Sequence, residues 1–477
     1  MNTTQSIPAP AQLRNENTAA AGGRGALVLI LAAGFVVRLV LWLASSELPI
    51  QIADARDYNG LAVRLVTDGA YQSESGELIS LRPPLYPAVV AAIYRVFGIE
   101  NLQAVRAAQA ALSLLNTLII YRLALVAYSR RTALWAAAGY CFYPSLLGFN
   151  QFLLSETLFT FFVSLITWVC AEALRRDSLR WLVVVGLLLG LGALTRSILW
   201  LFAPILSAYL FVAWRGRIRE RLLAAVVPAL LFGVTIAPWA WRNTRLHETP
   251  VLIDVMGGRN VMMGNYEHTP LERSWATISL VQGERAWHAV LLREHPQTTP
   301  LTQGQLDKLA MRHGIRFALQ HPALTAQRTL VRFFNFWQLE RTLVAGAQAG
   351  FFGDLSTVEK LGLAAVVCGS YAAAIFLGIF GAATAPPADR RLHALLLLTV
   401  LFPCAVHSLI FAHSRYHLPI MPIVLVYSAA AIVQFRSLGR PRGWRFDLAL
   451  LLCVILVLGW LRELVFVDLA NASQLVG

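Results

Sequence analysis

The chain has 477 residues, of which 57% are hydrophobic and 14% charged; 40 basic and 26 acidic residues give a formal net charge of +14. An ordinary globular domain carries about a quarter charged residues, so this composition excludes a soluble, disordered, collagenous or disulfide-built protein and describes an integral membrane protein with many spans. There is no GxxxxGK[ST] loop, no GxGxxG turn after a strand and no CxxC pair, which removes the motif-borne nucleotide and dithiol chemistries.

Lys308 and Lys360 are the only lysines, so nearly all the positive charge is arginine, set in short clusters between apolar runs. That distribution belongs to a membrane face rather than to a nucleic-acid partner. The five cysteines (Cys141, Cys170, Cys368, Cys404, Cys453) are odd in number and lie in apolar runs, as small core residues do.

In chain order, residues 1–25 read as a polar cytoplasmic tail rich in Ala and Pro. The run Ala26–Ala44 is long for a cleaved signal and carries Arg38, so it is predicted to be a retained first span. Apolar runs then recur and predict spans near 26–44, 104–127, 132–149, 154–174, 181–197, 198–214, 222–241, 357–380, 393–412, 418–434 and 447–466. The fold class expected is an all-α polytopic membrane protein with about 11 transmembrane helices. With the tail inside, the inner loops hold Arg130–Arg131, Arg175–Arg180, Arg215–Arg221, Arg390–Arg391 and Arg436–Arg445, as the positive-inside rule asks. The chain would then end outside after Asp468. Two long outer segments remain, 45–103 and about 242–356, so the site is expected on that face.

Almost no carboxylate falls inside a predicted span; Glu156, at the outer end of the fourth, is the nearest to the site face. Ion-coupled carriers need ionisable groups at membrane depth, so the pattern opposes a proton- or sodium-driven transporter.

The first outer segment reads Ile52-Ala-Asp-Ala-Arg-Asp-Tyr-Asn-Gly-Leu. Helical spacing puts Asp54, Tyr58, Leu61, Ala62 and Leu65 on one face, with Asp57 within a turn of Asp54. An N-cap and a catalytic carboxylate both account for Asp54, and a first-turn dipole charge accounts for Asp57. Downstream, Leu81-Arg-Pro-Pro-Leu-Tyr-Pro and the apolar run Ala88–Phe97 predict a rigid entry into a second interfacial helix. Arg82 at a helix start calls for a nearby anion, phosphate being the obvious one, or else anchors at lipid headgroups. On the same face, Ser155 could cap the fourth span and Glu156 serve as a dipole-favoured charge or a second acid. Arg196, Arg242 with Asn243, and Arg415 with Tyr416 and His417 stand at outer span ends. Outer arginines run against the inside bias, and an outer anionic ligand is the simplest reason for them. His413 and His417 have the i, i+4 spacing of a metal pair but no third ligand, so no metal site is expected there. In the long outer segment, Gly257-Gly-Arg-Asn and Gly264-Asn-Tyr read as turns, Asp307–Leu319 as a helix, and Ala323–Trp337, with Arg328 and Arg332, as an interfacial helix.

Taken together, Asp54 with Tyr58, Gly69-Ala-Tyr, Arg82-Pro-Pro-Leu-Tyr-Pro, Leu154-Ser-Glu, Leu194-Thr-Arg, Pro238-Trp-Ala-Trp-Arg-Asn and Arg415-Tyr416 resemble the bacterial GT-C membrane glycosyltransferases of the protein mannosyltransferase and aminoarabinose transferase type. The resemblance implies a polyprenyl-phosphate monosaccharide donor and inverting transfer to a hydroxyl of an envelope glycan, lipid or protein on the outer face of the plasma membrane. It implies a catalytic module over 26–241, an extracytoplasmic loop domain over 242–356 and C-terminal transmembrane helices over 357–477. It makes Asp54 the base or acceptor-orienting group, with Asp57 beside it and its role open, and makes Arg82 a donor-phosphate contact. Arg196, Arg242 and Arg415 join Arg82 as candidate phosphate ligands, and Tyr58, Tyr86, Glu156, Asn243, Tyr416 and His417 are candidate substrate contacts. Where some relatives carry paired Asp-Glu, this chain has Asp54-Ala55, which points away from a two-carboxylate scheme. No cofactor is required by the chemistry, a divalent cation is left open, membrane lipids are partners and nucleic acid is not. A lipid-linked sugar transporter and an oligosaccharide ligase or polymerase of related architecture are the competing readings.

Overall fold

A computed structural model of the chain describes residues 10–296, 300–438 and 443–468. In chain order its helices are α1 (Pro10–Ala44), α2 (Ala53–Thr67), α3 (Leu85–Phe97), α4 (Leu102–Ala127), α5 (Arg130–Cys141), α6 (Pro144–Phe149), α7 (Glu156–Arg176), α8 (Leu179–Ala193), α9 (Leu199–Ala213), α10 (Ile218–His247), α11 (Gly257–Gly264), α12 (Thr277–Leu280), α13 (Trp287–Glu294), α14 (Gln303–Gln320), α15 (Pro322–Phe336), α16 (Thr342–Gln348), α17 (Thr357–Thr384), α18 (Arg390–Leu409), α19 (Met421–Leu438) and α20 (Trp444–Glu463). Among the described residues the only β-type pairing is an isolated bridge between Gln72 and Leu78. The chain is a multi-pass, all-α membrane protein.

Among the described residues, eight segments are long and apolar enough to cross a membrane: 25–44 of α1, α4, α7, α10, α17, α18, residues 414–434 leading through α19, and 444–466. The predicted spans 181–197 and 198–214 are α8 and α9, apolar but only 15 residues each, about 22 Å at 1.5 Å per residue and short of a bilayer core. The predicted span 132–149 is broken: α5 stops at Cys141 and Pro144 starts the short α6, because the residue before a proline is driven out of the helical region. Of the predicted tail, residues 1–9 lie outside the described residues and the backbone from Pro10 runs as helix into the first span. Parts of the predicted basic junction 436–445 and the chain end after Asp468 also lie outside them.

The arginine-rich junctions meet at one end of the bundle. The Tyr128 hydroxyl donates to the Ala385 carbonyl at 2.9 Å, that of Tyr209 to the Arg391 carbonyl at 2.6 Å, and Arg391 pairs with Asp177 at 3.1 Å. These contacts draw together the α4–α5, α7–α8 and α17–α18 turns and the end of α9. The 21 residues of α7 separate that end from Glu156 by about 30 Å, one hydrocarbon thickness. Helix α7 is the buried axis of the molecule, and α8 packs on α10 through Gly186 and Gly190. A Cβ on Gly190 would lie 2.5 Å from Thr235 Cβ, and one on Gly186 2.6 Å from the Pro228 carbonyl, so only glycine permits this backbone approach.

At the other end, α2 and α3 lie across the helix tops. Ala55, Tyr58, Leu61 and Ala62 form the buried face of α2, close to the predicted face. Tyr58 meets Tyr86 edge-on at 4.9 Å, and the Leu85 amide donates to the Leu194 carbonyl at 2.9 Å, seating α3 on the α8–α9 turn.

The long outer segment departs from its predicted turns. Gly257-Gly-Arg-Asn opens α11, and Gly258 sits against the Asp307 backbone with no room for a side chain. On α15, the predicted interfacial helix, Arg328 and Arg332 are buried. Arg328 donates to the Tyr266 and Thr269 carbonyls at 3.1 and 3.0 Å, and Arg332 to the Leu409 carbonyl at 2.8 Å and to the Gly264 carbonyl. Carbonyls at the ends of α11 and α18 and in the loop after α11, which lack intrahelical partners, draw these guanidiniums inward.

Candidate active site

The polar centre is assembled from five stretches of the chain. Arg82 Nη2 donates to Asp54 Oδ1 at 2.6 Å and to Asp57 Oδ2 at 2.7 Å, and Arg415 Nη2 pairs with Asp54 Oδ2. Arg196 Nη2 donates to Glu156 Oε1 at 3.1 Å, and Arg415 Nε lies 3.9 Å from the same oxygen. Proline punctuation places Arg82: Pro83 and Pro84 end the loop just ahead of α3, and the Tyr71 hydroxyl ties down the Arg82 carbonyl at 2.8 Å. A 3-10 turn, Ser414–Ile420, delivers Arg415 and Tyr416. The Tyr416 ring stacks on His407 at 4.3 Å and lies 5.7–5.8 Å from the Arg196 and Arg415 guanidinium carbons.

These geometries resolve the capping question. The N-cap of α2 is Ile52, with no side-chain cap bond, and both Asp54 oxygens are engaged by arginine. Ser155 likewise makes no cap bond on α7, and its hydroxyl instead accepts from Tyr58 at 3.2 Å. Burial alone would raise the Asp54 carboxyl, but the Arg415 and Arg82 guanidiniums outweigh it and hold the group well below the usual carboxylate range. Arg82 is correspondingly raised: burial works against its charge, and Tyr58, Asp54 and Asp57 more than offset that. The anion beside Arg82, expected to be phosphate, is in this structure the carboxylate pair.

A cavity of about 430 Å³ opens over this centre. Asp54, Asp57, Tyr58, Arg82, Arg196, Arg415 and Tyr416 all line it, and Glu156 backs it through Arg196 and Arg415. The cavity then runs inward between α7, α9 and α18, where Phe159, Val163, Ile166, Phe202, Phe402 and Val406 form its walls. One end is therefore charged and the other apolar at the depth of membrane-crossing helices.

Four predicted contacts do not reach it. Arg242 bonds the Tyr71 and Ile79 carbonyls at 3.1 Å and lies 4.5 Å from the Trp239 ring, so its charge is spent on latching the first outer loop to α10. Asn243 is buried between Ser80 and the Ile253 carbonyl. Tyr86 is buried with its hydroxyl on Gln109 Oε1 at 2.9 Å. His417 is fully buried, with Nδ1 2.8 Å from the Phe336 carbonyl, Nε2 3.4 Å from Glu340 and the ring stacked on Tyr371. His413 turns instead to the Arg415 amide and Trp275; the 3-10 turn gives the two histidines separate partners. Among the described residues, one group could hold a metal ion: Glu294, His295 and His313, whose ligand atoms all lie within 4.8 Å of one another. None of the three lines the cavity.

Sequence reasoning missed Asp254, Arg259 and Asn260, which line the cavity from the segment between α10 and α11 and from α11 itself. Arg259 pairs with no carboxylate among the described residues; its Nε is buried without a hydrogen-bond partner, and its guanidinium carbon lies 5.7 Å from the Trp287 ring. Burial lowers the affinity of Arg259 for its proton, with Arg82 adding to the effect. Burial raises the Asp254 carboxyl to about 6, against hydrogen bonds from Ser197 and the Met256 amide.

Residues 81–241 match the family model described as dolichyl-phosphate-mannose-protein mannosyltransferase. The undecaprenyl phosphate-α-4-amino-4-deoxy-L-arabinose arabinosyl transferase of Pseudomonas aeruginosa is 33% identical over 150 residues, 30% of this chain and 27% of that relative's length. Among solved structures, the apo oligosaccharyltransferase of Archaeoglobus fulgidus superposes with a TM-score of 0.52 at 15% identity, covering 91% of this chain and 55% of that one. ArnT from Cupriavidus metallidurans in the apo state gives a TM-score of 0.42 at 15% identity over 86% of this chain and 78% of its own. The chain has the GT-C fold of polytopic membrane proteins. Its matches to the arabinosyl transferases span about a quarter of their length.

Proposed function

We propose that the protein is an inverting glycosyltransferase. It moves a monosaccharide from a polyprenyl-phosphate donor to a hydroxyl of an envelope glycolipid, polysaccharide or protein on the outer face of the plasma membrane. The observation that carries this is the two-ended cavity: guanidiniums at the membrane rim, then an apolar channel between α7, α9 and α18. A ligand matching both halves is an amphiphile with an anionic headgroup and a long hydrocarbon tail. The family-model match and the name of the arabinosyl transferase relatives support a polyprenyl-phosphate sugar as that amphiphile.

Arg259 offers the donor phosphate a charge that no carboxylate has claimed. Arg82, Arg196 and Arg415 can each add donors while remaining near Asp54 or Glu156. Breaking the C1–O bond leaves a lipid phosphate, and preorganised guanidiniums are the groups that stabilise such a leaving charge. Asp54, saturated by two arginines, is read as the anchor that aims them rather than as the base the resemblance implied. Asp57 holds the outer side of Arg82. Because Asp54 and Asp57 are already neutralised by arginine, the transfer is expected to need no divalent cation.

The test uses purified protein, an undecaprenyl-phosphate sugar and an envelope extract. Release of undecaprenyl phosphate matched by sugar in the acceptor fraction supports the reading. Vesicle-to-vesicle movement of intact donor without a new glycosidic bond marks a transporter, and transfer of a preformed block marks a ligase.

A further inference from the structure

We infer that Asp254 is the catalytic base for the acceptor: its carboxylate receives the acceptor hydroxyl proton as the new glycosidic bond forms. This rests on the glycosyltransferase reading above.

Among the described residues, three carboxylates line the cavity: Asp54, Asp57 and Asp254. Asp54 has Arg82 on Oδ1 and Arg415 on Oδ2, and these two cations make its carboxylate a poor proton acceptor. Asp57 is held by Arg82 at 2.7 Å and its side chain is 42% exposed at the rim, where it faces water. Asp254 forms no ion pair among the described residues. Its Oδ1 accepts from the Met256 amide at 3.2 Å. A neutral donor orients the group without neutralising it as a pair of guanidiniums would.

Basicity points the same way. A base clamped by two cations binds a proton poorly, whereas burial without a paired cation strengthens one. The charged groups around Asp254 are Asp307 of α14, which raises its proton affinity, and Arg82, which lowers it. The other charged groups lining the cavity are Asp54, Asp57, Arg196, Arg259 and Arg415. The net result is a carboxyl at about 6, ionised at neutral pH and strong enough to take a proton from a hydroxyl whose oxygen is bonding to carbon. The step balances. The acceptor O–H proton passes to Asp254, the acceptor oxygen bonds to C1, and the C1–O bond breaks with its electron pair leaving on the lipid phosphate. The protonated Asp254 then returns its proton to solvent.

The residue went unnoticed in the sequence because Val-Leu-Ile-Asp-Val-Met carries no periodicity or motif. The placement becomes visible only when the segment after α10 folds back over the α8–α9 turn.

The experiment compares wild type with D254N and D254E in the transfer assay, using an undecaprenyl-phosphate sugar and an envelope extract from pH 5 to 8. Donor binding is measured separately with undecaprenyl phosphate. The expected result is a loss of kcat in D254N of about 100-fold or more, the range for an acid–base group, with undecaprenyl phosphate affinity unchanged. Wild-type kcat falls with decreasing pH below about 6, D254N loses that limb, and D254E restores part of the rate together with the limb. Unchanged undecaprenyl phosphate affinity in D254N shows that the variant is folded. D254N turning over at the wild-type rate with the wild-type pH profile overturns the assignment alone. A wild-type protein that transfers nothing overturns the functional reading, and the assignment with it.

Discussion

Asp54 and Arg415, 361 positions apart in the chain, form an ion pair at the centre of the cavity, and Arg82 closes the other side of the same carboxylate at 2.6 Å. This contact fastens the first outer loop to the C-terminal third of the molecule and fixes where two guanidiniums point. Removing its charge therefore has two effects. D54N leaves Arg82 and Arg415 free to splay or to bind phosphate more tightly. We expect turnover to fall by about two orders of magnitude or more, with undecaprenyl phosphate affinity equal or higher. Steady-state transfer and lipid-binding measurements on the same preparation check this.

Arg259 and Arg242 make a contrasting pair. Arg242 stood among the expected phosphate ligands and Arg259 did not, but Arg259 has no carboxylate partner among the described residues and lines the cavity, whereas Arg242 is spent on loop carbonyls. R259A is expected to weaken undecaprenyl phosphate binding by about 10-fold or more, the loss of one strong charge-assisted contact. R242A is expected to lower the melting temperature while leaving the affinity of the folded fraction unchanged. Thermal melts combined with lipid titrations separate the two.

Glu340 and His417 are both fully buried and 3.4 Å apart. Removing one member leaves buried polar atoms of the other without a partner, which typically costs about 1–3 kcal/mol. E340A is therefore expected to reduce folded yield and melting temperature sharply. H417A, although the residue stood among the predicted substrate contacts, is expected to leave the donor KM of the folded fraction as it is.

Chelation tests the neutralisation of Asp54 and Asp57 by arginine. Treatment with EDTA is expected to leave transfer unchanged, and a requirement for added Mg²⁺ or Mn²⁺ would show that the arginines yield these carboxylates to a cation during turnover.

The sequence made legible what rests on contrast with an apolar background. Asp54, Arg82, Glu156, Arg196 and Arg415 each interrupt or border a long hydrophobic run, so their shared outer face could be read, and the structure brings them within contact of one another. Arg242, Asn243, Tyr86 and His417 carried the same outward signal. Whether a polar side chain faces a cavity or a backbone carbonyl depends on tertiary packing, which spacing alone does not encode. The span 132–149 was read as continuous because hydropathy averages over Tyr143-Pro144, where the backbone breaks. Asp254 and Arg259 sit in a segment of mixed polarity whose position over the cavity is set by the contact of Gly258 with Asp307, roughly 50 positions apart.

The central claim is that the arginine-rimmed, apolar-tailed cavity is the seat of a polyprenyl-phosphate donor. Its most direct test is an experimental structure of the protein with undecaprenyl phosphate bound. The account predicts the phosphate in contact with Arg259 and at least one of Arg82, Arg196 and Arg415, and the isoprenoid chain running between α7, α9 and α18. A phosphate seated elsewhere, with this cavity empty of lipid, would contradict it.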